Sequence, residues 1–121
     1  MSIIPSFILK KLYRKGSLRE TSDGIAFDLK NVLGPGCITG INFIQINDEI
    51  YNSPVIKILT SGMNILAEHI TPENPVFFRF EQEGTCLLEG AKGLKEGLNK
   101  IIVSLISKDV GSVQVTLTDM V

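Results

Sequence analysis

From Ser17 onward the chain alternates apolar and polar residues with a period of two, and turn signals interrupt the alternation every 8–12 residues, the pattern of an all-β sandwich. Leu18 to Glu20 and Ile25 to Lys30 flank Thr21-Ser22-Asp23-Gly24, and Asp-Gly is a strong hairpin signal. Ile25, Phe27 and Leu29 alternate with Ala26, Asp28 and Lys30, as in an antiparallel strand with one face in a core. Gly34-Pro35-Gly36 breaks the chain before a strand over Ile38 to Ile46, which Asn47-Asp48 turns into Glu49 to Tyr51. Val55 to Leu59 follows, and Met63 to Ile70 reads equally as a strand or a short helix. Beyond a loop bounded by Pro72 and Pro75, Val76, Phe78 and Phe80 alternate with Phe77, Arg79 and Glu81, and Thr85 to Glu89 is another strand. The last hairpin runs through Ile101 to Ile106, a turn at Ser107 to Gly111, and Val113, Val115 and Leu117, with Gln114, Thr116 and Thr118 on the opposite face.

The first 16 residues do not share this pattern. The segment from Ile3 to Lys15 carries Lys10, Lys11, Arg14 and Lys15 and no acid, a charge of +4. The rest of the chain holds the other eight bases and all 13 acids, a balance of −5. Pro5 and Gly16 suit the two ends of a helix over residues 5–15, and Ile4, Ile8 and Leu12 recur at helical spacing. Phe7 falls among the bases and spoils a clean amphipathic pattern, so an extended arm competes with the helix. The expected organisation is an apolar-basic arm over residues 1–16 and a sandwich domain over residues 17–121.

Size and composition fit one domain of 121 residues with 44% hydrophobic residues and no Trp. A surplus of apolar residues in so small a domain points to an interface, because monomers rarely expose large apolar patches. A homo-oligomer is therefore expected. The net charge of −1 leaves no basic field on the body, which argues against nucleic acid. No apolar run reaches the ~18–20 residues that span a bilayer. The charges of the arm follow its apolar stretch and no small-residue cleavage site is present, so the expected location is the cytoplasm.

Chemistry has few candidates. His69 is the one histidine, and on a strand its neighbour Glu68 faces the other way, so its expected role is structural. Cys37 and Cys86 lack metal-type spacing, and in a reducing compartment no disulfide is expected between them. Asp23, Asp48 and Asp109 sit at turns, where local hydrogen bonding explains them better than metal ligation. The glycines match neither phosphate-binding loops nor dinucleotide fingerprints. No catalytic, cofactor or metal residue is assigned. The arm is left as the candidate site: residues 3–13 are expected to form the principal intersubunit contact, with Phe7, Ile8, Leu12 and Tyr13 as its anchors, since aromatic residues in desolvated pockets dominate interface energy. Packing of the arm on its own sandwich is the alternative reading, and a membrane surface is the least favoured partner for it.

Leu94-x-x-Gly97, Ile101-x-Val103, Gly111 and Asp119 resemble the last hairpin of immunoglobulin-like sandwich modules. Gly16-Ser17-Leu18, Asp23-Gly24-Ile25 with Phe27, the linker from Asn31 to Gly40, and Asn47-Asp48-Glu49-Ile50 resemble the small β-subunits of bacterial C-glycoside deglycosidases. That resemblance implies a β-sandwich beside a larger barrel subunit that carries the metal and the chemistry, and it transfers no catalytic residue. The basic apolar opening is not part of that family's pattern. The expected function is a non-enzymatic β-sandwich interaction protein that self-assembles or serves as a structural subunit. The alternative is an accessory β-subunit of a sugar-processing enzyme.

Overall fold

The computed structural model describes residues 6–121, so the expectations placed on Ile3, Ile4 and Pro5 lie outside the described residues. Strands β1 (Arg19–Thr21), β2 (Gly24–Lys30), β3 (Gly36–Ile46), β4 (Glu49–Asn52) and β5 (Ile56–Thr60) are followed by β6 (Met63–Leu66), β7 (Val76–Phe78), β8 (Glu83–Glu89), β9 (Leu98–Ser107) and β10 (Gly111–Met120). They form two antiparallel sheets. The first has the order β1-β2-β8-β5-β6 and the second β10-β9-β3-β4, with β7 paired to the start of β3. Read in chain order, these are the A-B-E-D and G-F-C-C′ sets of an immunoglobulin-type sandwich, with β6 and β7 as additions. The expected all-β, immunoglobulin-like sandwich is the fold observed.

The core lies between the sheets and is built by alternation. Ile25 and Phe27 of β2, Ile56 and Ile58 of β5, and Cys86 and Leu88 of β8 meet Ile44 and Ile46 of β3, Ile101 and Val103 of β9, and Leu117 of β10. Phe27 is the largest fully buried side chain. Strand β3 keeps Ile38, Ile41, Ile44 and Ile46 on this core despite their uneven spacing, because its register against β9 shifts between Ile38 and Gly40 and again between Ile41 and Phe43. Each shift inserts one residue and re-aims those that follow. Gly24 opens β2 at φ 145°, and a Cβ there would stand 2.0 Å from the Leu88 carbonyl oxygen, so only glycine lets β2 approach β8 this closely.

Several segments depart from the simplest reading. Met63–Ile70 is both of its alternatives in turn: β6, then a single 3-10 turn over Ala67–His69. Strand β7 ends at Phe78, and Phe80 is 55% exposed instead of continuing the alternation. Glu81 takes φ 68°, which turns the chain towards β8. At the arm, a helix α1 covers only Ser6–Leu9, a 3-10 turn covers Lys10–Leu12, and Tyr13 is extended at φ −83° and ψ 132°. Tyr13 bridges to Leu29 of β2, and the Arg14 N–H donates to the Asp28 carbonyl at 3.0 Å. The helical pattern of the sequence yields here to pairing along the second half of β2, which β1 leaves uncovered.

Candidate interaction surfaces

The arm ends in a fixed seam between the two sheets. The Tyr13 hydroxyl donates to Asp119 Oδ2 at 2.5 Å, and the Gly16 N–H donates to the same oxygen at 2.8 Å. The Met120 N–H donates to Asp119 Oδ1 at 2.8 Å. Asp119 is 2% exposed because it continues the inward row Val113, Val115, Leu117 of β10. Burial alone would raise its pKa, but the Tyr13 hydroxyl and the backbone N–H groups of Gly16, Met120 and Leu18 outweigh it and hold the carboxyl below the usual range. Tyr13 is pushed the other way, first by burial and then by donating to this carboxylate. Its ring lies 5.9 Å from that of Phe27. The seam thus runs from the core of the first sheet to the edge strand of the second.

The four anchors expected on the arm are divided by this geometry. Tyr13 is tied to its own sandwich, Ile8 and Leu12 are half-buried, and Phe7 is 66% exposed. Leu9, which was not among them, is buried. Sequence reasoning also passed over Asp119 as an anchor. Its signal was parity: a carboxylate on the same face of the strand as three core residues needs donors.

The outer faces of the two sheets differ in kind. On the first, Arg19 pairs with Asp28 at 3.3 Å, the Thr85 hydroxyl donates to Asp28 at 2.8 Å, and Lys57 pairs with Glu89. An open groove of about 540 Å³ runs beside this face, with the exposed pair Arg14–Glu83 at 3.7 Å on its wall. On the second sheet, the registers of β9 with β3 and β10 place Ile102 between Gln45 and Thr116, Ser104 between Phe43 and Gln114, and Ile106 between Gly40 and Ser112. Ile50 of β4 stands beside Gln45. Lys100 is the one charged residue that these registers put on the outside of β3, β4, β9 or β10. Ile50 is 56% and Ile106 37% exposed.

The remaining candidates fall apart in space. His69 is exposed on its 3-10 turn, and its carbonyl accepts from Asn74 Nδ2. Cys37 and Cys86 are free and buried, one in each sheet, and burial, with Asp28 nearby, pushes the Cys86 thiol up to about 12. Asp23, Asp48 and Asp109 do occupy turns, but the side chains that bond the turn backbone are Thr21 and Ser107, which accept from the N–H of Asp23 and of Asp109. Among the described residues no group of three or more His, Cys, Asp or Glu is gathered to hold a metal. Nor is any helix among them long and apolar enough to cross a membrane.

No curated protein matches the chain. The family model described as hydroxymethylglutaryl-CoA reductase, N-terminal domain, matches residues 8–121. This overturns the resemblance to the C-glycoside deglycosidase β-subunits. That likeness rested on turn residues and strand patterning, which unrelated sandwiches share because the same turns impose the same residues. The family match takes in the sandwich together with the arm from Ile8 onward, including Tyr13 and Asp119 of the seam. The chain belongs to the hydroxymethylglutaryl-CoA reductase N-terminal domain family.

Proposed function

We propose that this chain is a non-catalytic β-sandwich interaction module that self-assembles or serves as a structural subunit. The observation that carries the reading is the outer face of the β10-β9-β3-β4 sheet, which has Lys100 as its one charge in these registers and where Ile50, Ile102 and Ile106 lie among amide and hydroxyl side chains. Water-facing sheets are ordinarily dressed with charge, as the first sheet is, and a sheet face with almost none is open to stacking on another surface. Phe7 and Phe77, at 66% and 68% exposed, add two aromatic side chains of the kind that anchor interfaces. The two buried free thiols suit a reducing cytoplasm. Nucleic acid is a poor partner for a chain of net charge −1.

Sedimentation velocity of the purified chain over a wide concentration range tests this reading. The expected result is a sedimentation coefficient that rises with concentration; a monomer at every concentration would sink self-assembly. The family match favours a second reading, in which the module docks on the catalytic part of a hydroxymethylglutaryl-CoA reductase. Co-sedimentation with such a catalytic region, by a chain that does not self-associate, would select it.

A further inference from the structure

Resting on the self-assembly reading, we propose that the outer face of the β10-β9-β3-β4 sheet is a two-fold interface between two copies of this chain. The first argument is charge. In a two-fold contact each residue near the axis meets its own copy, so a charge at the centre would face its like. The centre of this face, around Ser104 and Gln114, is uncharged, and Lys100 lies towards one end of the β9-β10 ladder. A strongly acidic or basic partner would find nothing to pair with there, whereas a second copy meets a matching surface of isoleucine, amide and hydroxyl groups. The first sheet could not stack on itself in this way without burying Arg19, Asp28, Lys57 and Glu89.

The second argument is area. Three strands of about ten residues and one of four, at ~3.3 Å per residue and ~4.8 Å between strands, project about 550 Å². Two facing copies then bury about 1,100 Å², above the ~1,000 Å² that a specific interface needs. Side-chain relief adds to this, and sheets packed face to face stand ~10 Å apart, a gap that isoleucine, glutamine and threonine side chains fill from both sides.

The test is the double variant Gln114→Glu with Thr116→Glu. Both residues are exposed in the single chain and point away from the core, so the fold should persist with an unchanged circular dichroism spectrum. Sedimentation of wild type and variant should show a dimer dissociation constant raised about 100-fold or more by four facing carboxylates. Leu59→Glu, which puts one acid on the outer face of the first sheet, should leave dimerisation unchanged. In the wild type, raising the concentration should shift the methyl resonances of Ile50, Ile102 and Ile106 and leave Leu59 and Leu87 in place. A wild type that stays monomeric overturns both this interface and the self-assembly reading. A wild type that dimerises, with the double variant dimerising as tightly or with the methyl shifts on Leu59 and Leu87, overturns the interface alone.

Discussion

The two sheets share one core and differ on their outsides. Facing inward, both present isoleucine, leucine, valine and phenylalanine, and neither would be stable without the other. Facing outward, the first sheet carries Arg19, Asp28, Lys57 and Glu89 in pairs beside Leu59 and Leu87, and the second carries isoleucine, glutamine, serine and threonine with Phe43 and a single charge, Lys100. Surface pairs of this kind contribute little to stability, typically ~0–1 kcal/mol each. What they do is keep a flat sheet wet and unattractive to another sheet. The inward positions therefore determine whether the chain folds, and the outward positions determine what it meets once folded.

The largest expected effect tests whether the sheets are one folding unit. Phe27→Ala removes the largest buried side chain and should cost about 3–5 kcal/mol. Because Phe27 belongs to the first sheet but packs in a shared core, both sheets should fail together. The two cysteines report this separately, Cys86 from the first sheet and Cys37 from the second. In a urea series, pulse alkylation should label both at the same midpoint, in the wild type and at a lower midpoint in the variant. Two distinct midpoints would break the comparison, making the sheets independent.

The seam between the sheets should show the next largest effect. Tyr13→Phe leaves the buried Asp119 with backbone donors only and should cost about 1–3 kcal/mol by urea unfolding. The pH dependence follows from the two directions of shift. Asp119 titrates lower in the folded chain than in the unfolded one, so its contribution is complete at neutral pH and is lost as pH falls below the ordinary carboxylate range. Tyr13 titrates higher when folded, so its contribution is complete below the ordinary tyrosine range and is lost progressively as pH rises above that range towards its folded value. Melting temperatures across pH should therefore fall at both extremes in the wild type, and Tyr13→Phe should make the alkaline limb shallower, leaving the part that the buried Cys86 thiol carries. An unchanged alkaline limb in that variant would remove Tyr13 as its cause.

Where local alternation and local turns decide the structure, the letters suffice. Ile25, Phe27 and Leu29 alternate in the sequence as they do in space, and the β9-β10 hairpin is readable from its two ends. Strand β3 is harder: two register shifts put Ile38, Ile41, Ile44 and Ile46 on one face, which no period of two reveals. Tyr13 fits a helix by spacing and is extended in the fold, because the stretch of β2 beyond β1 offers its backbone a partner. Asn99 shows the same limit. It is 1% exposed; its bonds to the backbone of Lys95 and Gly97 are local, but the Asn47 side chain that donates to it comes from the far side of the sequence and is brought there by the tertiary fold. The nearly uncharged face was half visible in Gln114, Thr116 and Thr118, but it took the register to set Ile102 and Gln45 beside Thr116.

The smallest effects lie on the outer faces themselves. Lys57→Gln breaks the pair with Glu89 and should cost no more than ~1 kcal/mol, because Glu89 is half exposed and water replaces most of what is lost. Added salt should shrink the difference further, since screening at ~0.15 M acts over about 8 Å. The reciprocal change sharpens the comparison. Thr118→Glu places an acid directly opposite Lys100 and gives the second face a cross-strand ion pair like those of the first. Its expected gain is ~0.2–1 kcal/mol at low salt, read as a small rise in the urea midpoint. Both changes act on charge at the outer faces and not on the core, so neither should alter the slope of the unfolding transition, which follows the surface exposed on unfolding. A loss well beyond 1 kcal/mol for Lys57→Gln would mean that the first face is structural as well as solvated, and the division between an inside that folds and an outside that selects partners would then fail for that sheet.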